Sequence, residues 1–316
     1  MASSKGVVAL VKEAASDFAD DECPRMAAAL SYYTVFSLPP LLVLILLVAS
    51  IFLDPQDVQG ALAAQIQSLM GPDAAGQIRT ILEQAERPGA SKGIAAVLGI
   101  VGVLFGATGV FIELQGALNR AWEVAPDPEK GGLKNMITKR VFSLGMILAI
   151  AFVLLVSLAL SAVLSSFGDA LAGMIPGLGE VVLHVINFVI SFGVITLLFA
   201  AMFKVIPDAE IAWRDVWVGA AATAFLFVVG KFLIGFYLGR SDPGQAYGAA
   251  GSLAVLLVWI YYSAMILFFG AEFTQKWAEN RGGGIRPEKG AVRVVEETHH
   301  IREPEAGGSK QSASKE

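Results

Sequence analysis

Six long apolar stretches restrict the fold of this chain more than any other feature of its sequence. Each is free, or nearly free, of charged side chains over the roughly 20 residues that a helix needs to cross the hydrocarbon core of a bilayer. Their approximate bounds are 29–53, 94–112, 141–168, 181–203, 216–239 and 246–271. A soluble all-α protein is the alternative, and six such runs in one chain argue against it. The pattern predicts an all-α, polytopic membrane protein with six transmembrane helices.

The composition agrees with a membrane protein. Of the 316 residues, 55% are hydrophobic and 16% are charged, whereas soluble domains are nearer to a quarter charged. The single cysteine, Cys23, excludes an intrachain disulfide and a cysteine-built metal site. The amino-terminal residues include Asp17, Asp20, Asp21 and Glu22 and lack a continuous apolar core, so no cleavable signal peptide is predicted.

The distribution of Lys and Arg predicts the orientation. If the amino terminus is cytoplasmic, most of the 23 basic residues fall in cytoplasmic segments. The opposite side then holds Arg79, Arg87, Lys92 and Arg240, and its second loop holds no basic residue. The positive-inside rule therefore places both termini in the cytoplasm.

Two segments outside the spans are predicted to be helical. The apolar residues of the amino-terminal segment share one helical face: Val7, Val11, Ala14, Ala15 and Phe18. Residues 1–28 are therefore predicted to hold an amphipathic helix on the cytoplasmic membrane surface, ending near Pro24. The external loop 54–93 has a second apolar stripe and a break at Gly71-Pro72. It predicts a short helical hairpin over the outer mouth of the bundle, either a lid or a packed surface hairpin.

The segment 280–316 is rich in Gly, Glu, Lys and Ser. This composition predicts a disordered cytoplasmic tail after the six-helix domain 29–279. His299 and His300 within the tail are too few for a metal site. No metal or other cofactor is predicted anywhere in the chain.

Two spans carry irregularities. Pro39 and Pro40 remove two amide donors near the middle of the first span and clash with the preceding turn, so they predict a kink or a break. Such a site is either a structural bend or a hinge of the kind found in transport proteins. In the second span, glycines recur on one helical face: Gly99, Gly102, Gly106 and Gly109. This stripe predicts tight packing against a neighbouring helix.

Polar residues within the outer halves of the spans are candidate site residues, because an intramembrane charge is costly and commonly marks function. A rise of about 1.5 Å per residue places Lys231, His184 and Asn187 in one layer of the outer leaflet. For Lys231 the alternatives are an inward-facing role and a side chain that extends to lipid headgroups. For His184 the simpler account is a position at the membrane interface.

A second polar group lies at the cytoplasmic ends of the spans. Glu113 continues the glycine stripe, and Glu272 follows the sixth span, with Arg25 and Arg120 at similar depth. Straight helices separate Glu272 from Lys231 by roughly 20 Å, so an ion pair between them is not predicted. The inner group predicts either a structural ion-pair network or a gate.

Four groups of residues form a series along the chain: Ala29-Leu30-Ser31-Tyr32-Tyr33-Thr34 with Ser37-Leu38-Pro39-Pro40, Phe105-Gly106-Ala107 with Leu118-Asn119-Arg120-Ala121-Trp122, Gly230-Lys231, and Tyr247-Gly248-Ala249-Ala250-Gly251 through Trp259-Ile260-Tyr261-Tyr262 to Gly270-Ala271-Glu272. In order and spacing, the series resembles the YihY/BrkB family of bacterial inner-membrane proteins, formerly labelled ribonuclease BN-like. The resemblance covers roughly residues 5–280. It implies six helices and an inner-membrane location but no settled activity, although transport roles, including lipid handling at the envelope, have been proposed for members.

The residues give the ribonuclease label no chemical support. Nucleases of that kind need clustered His and Asp ligands around two metal ions, and this sequence has three histidines in all. It has no P-loop, Gly-x-Ser-x-Gly or His-Glu-x-x-His motif. We therefore predict no enzymatic activity, no nucleic-acid partner and no metal.

The preferred hypothesis is an inner-membrane transporter, moving a lipid or another anionic amphiphile. A polar cavity around Lys231 and Asn187 would attract the anionic group, and the kinked first span would move. A non-transporting scaffold or envelope-assembly protein is the second hypothesis. A lipid-modifying enzyme is third, and only Glu113 and Glu272 qualify as its acid/base pair by residue type. Membrane lipids are the expected partners, and a homo-oligomer is left open.

Overall fold

The computed structural model of the chain describes residues 5–49, 108–130, 178–241, 251–281 and 283–295, with isolated positions between 54 and 79. Its helices are α1 (Val7–Asp20), α2 (Cys23–Ala49), α3 (helical over the described residues 108–121), α4 (Leu178–Val205), α5 (Trp213–Ser241) and α6 (Gly251–Asn280). Its strands are β1 (Val124–Pro126), β2 (Ala209–Glu210), β3 (Arg286–Pro287) and β4 (Ala291–Arg293), and a 3₁₀ turn covers Pro128–Lys130.

The helical membrane fold is confirmed for the part of the chain that the structure describes. Three described segments are long and apolar enough to cross a bilayer: Phe188–Val205, Trp213–Tyr237 and Leu253–Asn280. They coincide with the predicted spans 181–203, 216–239 and 246–271. The first predicted span lies on α2. Three predicted features fall outside the described residues: the span 141–168, most of the span 94–112 and the pairing of a hairpin in 54–93. The number of six transmembrane helices therefore stays a prediction.

Helices α5 and α6 pack antiparallel through reciprocal glycines and threonines. A Cβ built on Gly219 would lie 1.8 Å from Thr274 Oγ1, and one built on Gly270 would lie 2.0 Å from Thr223 Oγ1. Each threonine hydroxyl donates to the glycine carbonyl one turn earlier on its own helix, Thr223 to Gly219 at 2.7 Å and Thr274 to Gly270 at 2.6 Å. The two helix backbones therefore approach more closely than any other residue type would permit.

The apolar core is concentrated where α1 lies, and we call this end of the bundle the α1 end. Its largest side chains include Trp122, Phe203 and Phe268, all fully buried or nearly so. The indole N–H of Trp122 donates to the Ala271 carbonyl at 3.0 Å, and its ring meets Phe203 edge-on at 5.9 Å. The tryptophan thus joins the end of α3 to α4 and α6.

The predicted amino-terminal helix is present as α1, but the face that it buries differs from the predicted one. Leu10 and Ala14 are buried against α6, and Phe18 meets the ring of Phe269 at 6.0 Å. Val7 and Val11, expected on the apolar face, are exposed. The difference arises because α6 offers a protein surface to one side of α1, so only its other apolar edge is available to lipid.

The beginning of the carboxy-terminal segment is structured, contrary to the disordered tail predicted over 280–316. Residues 283–295, which we call the strap, contain β3 and β4. β3 pairs antiparallel with β2, and β4 pairs antiparallel with β1. The prediction is wrong for the strap, because amino-acid composition does not show that two loops of the bundle have unpaired strand edges to which the strap can bind. Residues 296–316 lie outside the described part of the chain.

Helix α2 runs without interruption through Pro39 and Pro40. A break at these prolines is therefore wrong, and a bend within the continuous helix stays a prediction. In the preceding turns, Thr34 Oγ1 donates to Leu30 O at 2.7 Å and Ser37 Oγ donates to Thr34 O at 2.9 Å. Hydroxyl-to-carbonyl bonds of this kind often accompany a bend.

The α5–α6 contact yields a stability prediction. Gly270→Ala forces a methyl group against Thr223, and overpacking of this kind costs about 1–3 kcal/mol. Gly235→Ala is the control, because no described atom lies within 4 Å of a Cβ built there and Ala is the better helix former by up to about 1 kcal/mol. Thermal unfolding in detergent should show a lower midpoint for Gly270→Ala only. Equal midpoints for the two variants would contradict the packing argument.

Candidate functional site

A buried carboxyl group is the centre of the α1 end. Glu272 on α6 is fully buried. Its Oε1 lies 3.6 Å from the thiol of Cys23 on α2, and within the described part of the chain its Oε2 has no hydrogen-bond partner. Burial, and next the neighbouring Glu272, raise the pKa of the Cys23 thiol well above its usual range. Cys23 is therefore a thiol and not a thiolate, and it is the weak donor of this contact.

Ion pairs lie around Glu272, and none of those between described residues includes it. Lys276 pairs with Asp17 of α1, and the Nε of Arg120 lies 3.5 Å from an oxygen of Asp21. The negative charges of Asp21 and Asp17 act on Glu272. These pairs join α1, α3 and α6 around the buried carboxyl.

A cleft of about 680 Å³ opens beside this cluster. Gly116, β1 and the end of the strap at Val294 and Val295 form part of its wall. The polar lining comes from Asp17, Asp20, Asp21, Asn119, Arg120, Glu123, Gln275 and Lys276. The ion-paired groups next to Glu272 therefore also border the cleft. Acidic side chains outnumber basic ones in its lining.

A hydrogen-bonded pair connects α3 to the loop between α4 and α5. Asn119 donates from its amide nitrogen to Asp208 Oδ2 at 2.8 Å, and its amide oxygen accepts from the Asp208 backbone N–H at 2.8 Å. Gln115 adds bonds to the Ile206 carbonyl (3.1 Å) and to Asp208 Oδ2 (3.3 Å). These bonds hold β2 in position to pair with the strap.

The strap closes the other side of the cleft. The Val294 N–H donates to the Glu123 carbonyl at 2.8 Å, which extends the β1–β4 pairing towards α3. The guanidinium of Arg293 meets the Glu123 carboxylate at 2.9 Å, and this hydrogen bond raises the pKa of Arg293. Glu123 has a φ of 53°, so it turns the chain sharply from α3 into β1.

A second buried carboxyl group lies where the strap begins. Asp215, in the first turn of α5, is 1% exposed, and neither of its oxygens accepts a hydrogen bond from a residue that the structure describes. Its charged neighbour is Arg214, whose Nε lies 3.6 Å away. A Cβ built on Gly283 would lie 3.4 Å from Asp215 Oδ2. The carboxyl group of Asp215 therefore lies at the amino-terminal end of α5, which carries the partial positive charge of a helix terminus.

The predicted outer-leaflet residues lie on α4 and α5, which pack against each other. Lys231 is half-buried on α5, between the buried Gly230 and the exposed Phe232. His184 and Asn187 lie on α4, but their side chains are outside the described part of the structure. Their contact with Lys231 therefore stays a prediction.

The predicted inner cluster differs in its members. Arg25 is exposed and pairs with Glu22, not with Glu272. It points outward because Cys23 and Met26 occupy the buried face of the first turn of α2. Glu113 is half-buried, and no described contact joins it to Glu272. Arg120 does belong to the cluster, through Asp21.

Of the predicted glycine stripe, Gly109 is the one member within the described residues. A Cβ on Gly109 would lie 2.9 Å from the ring of Tyr33, so this glycine gives α2 close access to α3. Gly99, Gly102 and Gly106 fall outside the description. The glycines that pack α5 on α6 were missed, although the Gly-x-x-x-Thr spacing of Gly219 and Gly270 is visible in the sequence.

The site also contains residues that sequence reasoning did not single out: Asp17, Asp21, Cys23, Asn119, Asp208, Asp215 and Lys276. The run Asp20-Asp21-Glu22-Cys23 between two apolar helices was the available signal. Among the residues that the structure describes, no group of three or more His, Cys, Asp or Glu is placed to hold a metal ion.

These features define a helical membrane protein that gathers its buried carboxyl groups and ion pairs at one end of an apolar bundle. The sequence profile of the family described as "Virulence factor BrkB" matches residues 14–294. The chain belongs to this family, so the resemblance to YihY/BrkB proteins is confirmed.

Curated relatives carry the name UPF0761 membrane protein. One from Stenotrophomonas maltophilia (strain K279a) is 30% identical over 295 residues, which are 90% of this chain and 66% of the relative. One from Ralstonia nicotianae is 27% identical, over 80% of this chain and 55% of the relative. One from Pseudomonas aeruginosa (strain LESB58) is 29% identical, over 80% of this chain and 59% of the relative. The chain thus spans about three-fifths of the length of these relatives. No solved structure matches it.

The single cysteine permits a direct test of the buried site. Cys23 is fully buried, and burial raises the pKa of its thiol. Since the thiolate is the nucleophile and the maleimide must also reach it, the reaction in the folded protein should be slower than that of an exposed cysteine by about a hundredfold or more. The control is Lys12→Cys in a Cys23→Ala background, since Lys12 is exposed on α1. Denaturant should abolish the difference. Equal rates in the folded proteins would show that Cys23 is accessible.

Proposed function

We propose that the protein is a transporter of the bacterial inner membrane that moves a lipid or another anionic amphiphile. The observation that carries this proposal is the position of Lys231, a half-buried cation beside an exposed apolar surface. Phe232, Leu233 and Phe236, which follow Lys231 on α5, are each at least 60% exposed. An anionic headgroup at Lys231 would leave its acyl chains along these side chains.

The depth of Lys231 favours a role in the membrane interior. Ten residues separate it from the end of α5 at Ser241, which is roughly 15 Å along the helix. An ammonium group at that depth is costly unless a polar partner or an anion accompanies it. A water-soluble anion would call for a closed site, whereas the exposed aromatic and aliphatic neighbours favour a ligand that stays partly in lipid.

The α1 end, away from Lys231, would be the closed side of a gated pathway. With both termini in the cytoplasm, the α1 end, its ion pairs and the strap would close the cytoplasmic side. Asn187 and His184 of α4 would complete the outer polar layer with Lys231. A bend of α2 at Pro39 and Pro40 would supply the movement that opens one side at a time.

The test is transport of a labelled anionic phospholipid, phosphatidylglycerol, in vesicles reconstituted with the full chain. Lys231→Met should lower the rate about tenfold or more, because a hydrogen bond to a charged group contributes about 1.5–3 kcal/mol. Lys231→Arg should retain most of the rate, since the cation is kept. Lys12→Met removes a charge from an exposed site on α1 and is the matched control.

Unchanged transport in Lys231→Met would remove Lys231 from the mechanism. If the wild-type protein moves no lipid but retains a stable co-purifying partner, the scaffold hypothesis takes its place. That hypothesis predicts that Gly109→Leu, which disturbs the packing of α2 on α3, weakens partner binding while Lys231→Met does not.

A further inference from the structure

We propose that Glu272 is an exchangeable proton-binding site, and that protons reach it from the cleft past Asp21. This inference concerns the α1 end of the bundle and does not depend on what the protein transports. It rests on the burial of Glu272, on the charges that face it and on the position of the cleft.

The surroundings of Glu272 suit a carboxylic acid better than a carboxylate. A buried carboxylate needs a cation or several strong donors. The described polar neighbours of Glu272 are the weak thiol donor of Cys23 at 3.6 Å and the acidic side chain of Asp21, and among the described residues Oε2 has no hydrogen-bond partner. No ion pair among the described residues includes it. A proton on one oxygen removes the charge and leaves the other oxygen as the acceptor for the thiol.

The charged groups on the surrounding elements favour the same form. α1 contributes Asp17, the turn before α2 contributes Asp21, α3 contributes Arg120 and α6 contributes Lys276. Each cation is already paired with an aspartate, Lys276 with Asp17 and Arg120 with Asp21. The negative charges of the two carboxylates act on Glu272 and oppose a third negative charge there.

The same groups connect Glu272 to water. Asp17, Asp21, Arg120 and Lys276 all line the cleft of about 680 Å³. When Glu272 loses its proton, its O–H bond breaks, the proton passes to an Asp21 oxygen or to water in the cleft, and the electron pair stays on Glu272. Protonation is the reverse. No further reactant is needed.

The S–H stretching band of Cys23 reports on Glu272, because Cys23 is the chain's one cysteine and its thiol contacts Glu272. A carboxylate is a stronger acceptor than a carboxyl carbonyl, so the band should move to lower frequency when Glu272 is deprotonated. The infrared spectrum of the full chain in lipid vesicles is recorded between about pH 4 and pH 10. We expect one titration of the band in the wild-type protein, absent in Glu272→Gln and retained in the control Glu279→Gln, an exposed glutamate of α6.

Two further variants test the neighbouring charges. Asp21→Asn removes a negative neighbour and should move the midpoint of the band titration to lower pH. Lys276→Met removes a positive neighbour and should move it to higher pH. An S–H band that does not respond to pH in the wild-type protein overturns the proposal without recourse to any variant. A response that persists in Glu272→Gln overturns it equally.

Discussion

Two glycines and two threonines set the geometry of the α1 end. Gly219 lies against Thr274 and Gly270 lies against Thr223, and none of these contacts leaves room for a Cβ on the glycine. This interlock determines the rotation of α6 about its axis. Glu272 is two residues from Gly270, about 200° around the helix. It must therefore face away from α5, and it meets Cys23 of α2 on that side.

The same constraint acts on α5. Gly230 is buried against Tyr262 and Ile266 of α6, so the next residue, Lys231, lies about 100° away from that contact. It falls at the border between the packed and the exposed faces of α5. The half-buried state of Lys231 is thus a consequence of glycine packing on its neighbour.

At the α1 end, backbone and polar contacts replace apolar packing. The strap adds a strand to each of two loops, and the Asn119–Asp208 pair fixes one of these loops against α3. Three separate parts of the chain are joined by bonds that cannot be made by helix packing alone. The cleft lies between these connections and the ion pairs Lys276–Asp17 and Arg120–Asp21, next to Glu272.

The helices could be predicted from sequence because their signal is local. α4, α5 and α6 follow apolar runs that need no knowledge of their neighbours, and α1 follows its own periodicity. Two of the failures concern which residues meet and which way a side chain points. The strap needed two loops to pair with, and Arg25 was assigned to the inner cluster by depth alone, although Cys23 and Met26 occupy the buried face of its turn. The sequence predicted how far along its helix each residue lies, but it did not predict which way the side chain points from the helix axis.

The sequence by itself determined that the chain is a helical membrane protein of the BrkB family, because apolar length and ordered motifs are properties of single segments. The tertiary structure decided which charges meet. Glu272 stands with Cys23, Asp17 and Asp21, and not with Arg25, because the close approach of α5 and α6 and the docking of α1 rotate those side chains towards one another. Contacts between distant segments depend on how each helix is rotated about its axis. For α5 and α6, the close contacts at Gly219 and Gly270 set this rotation.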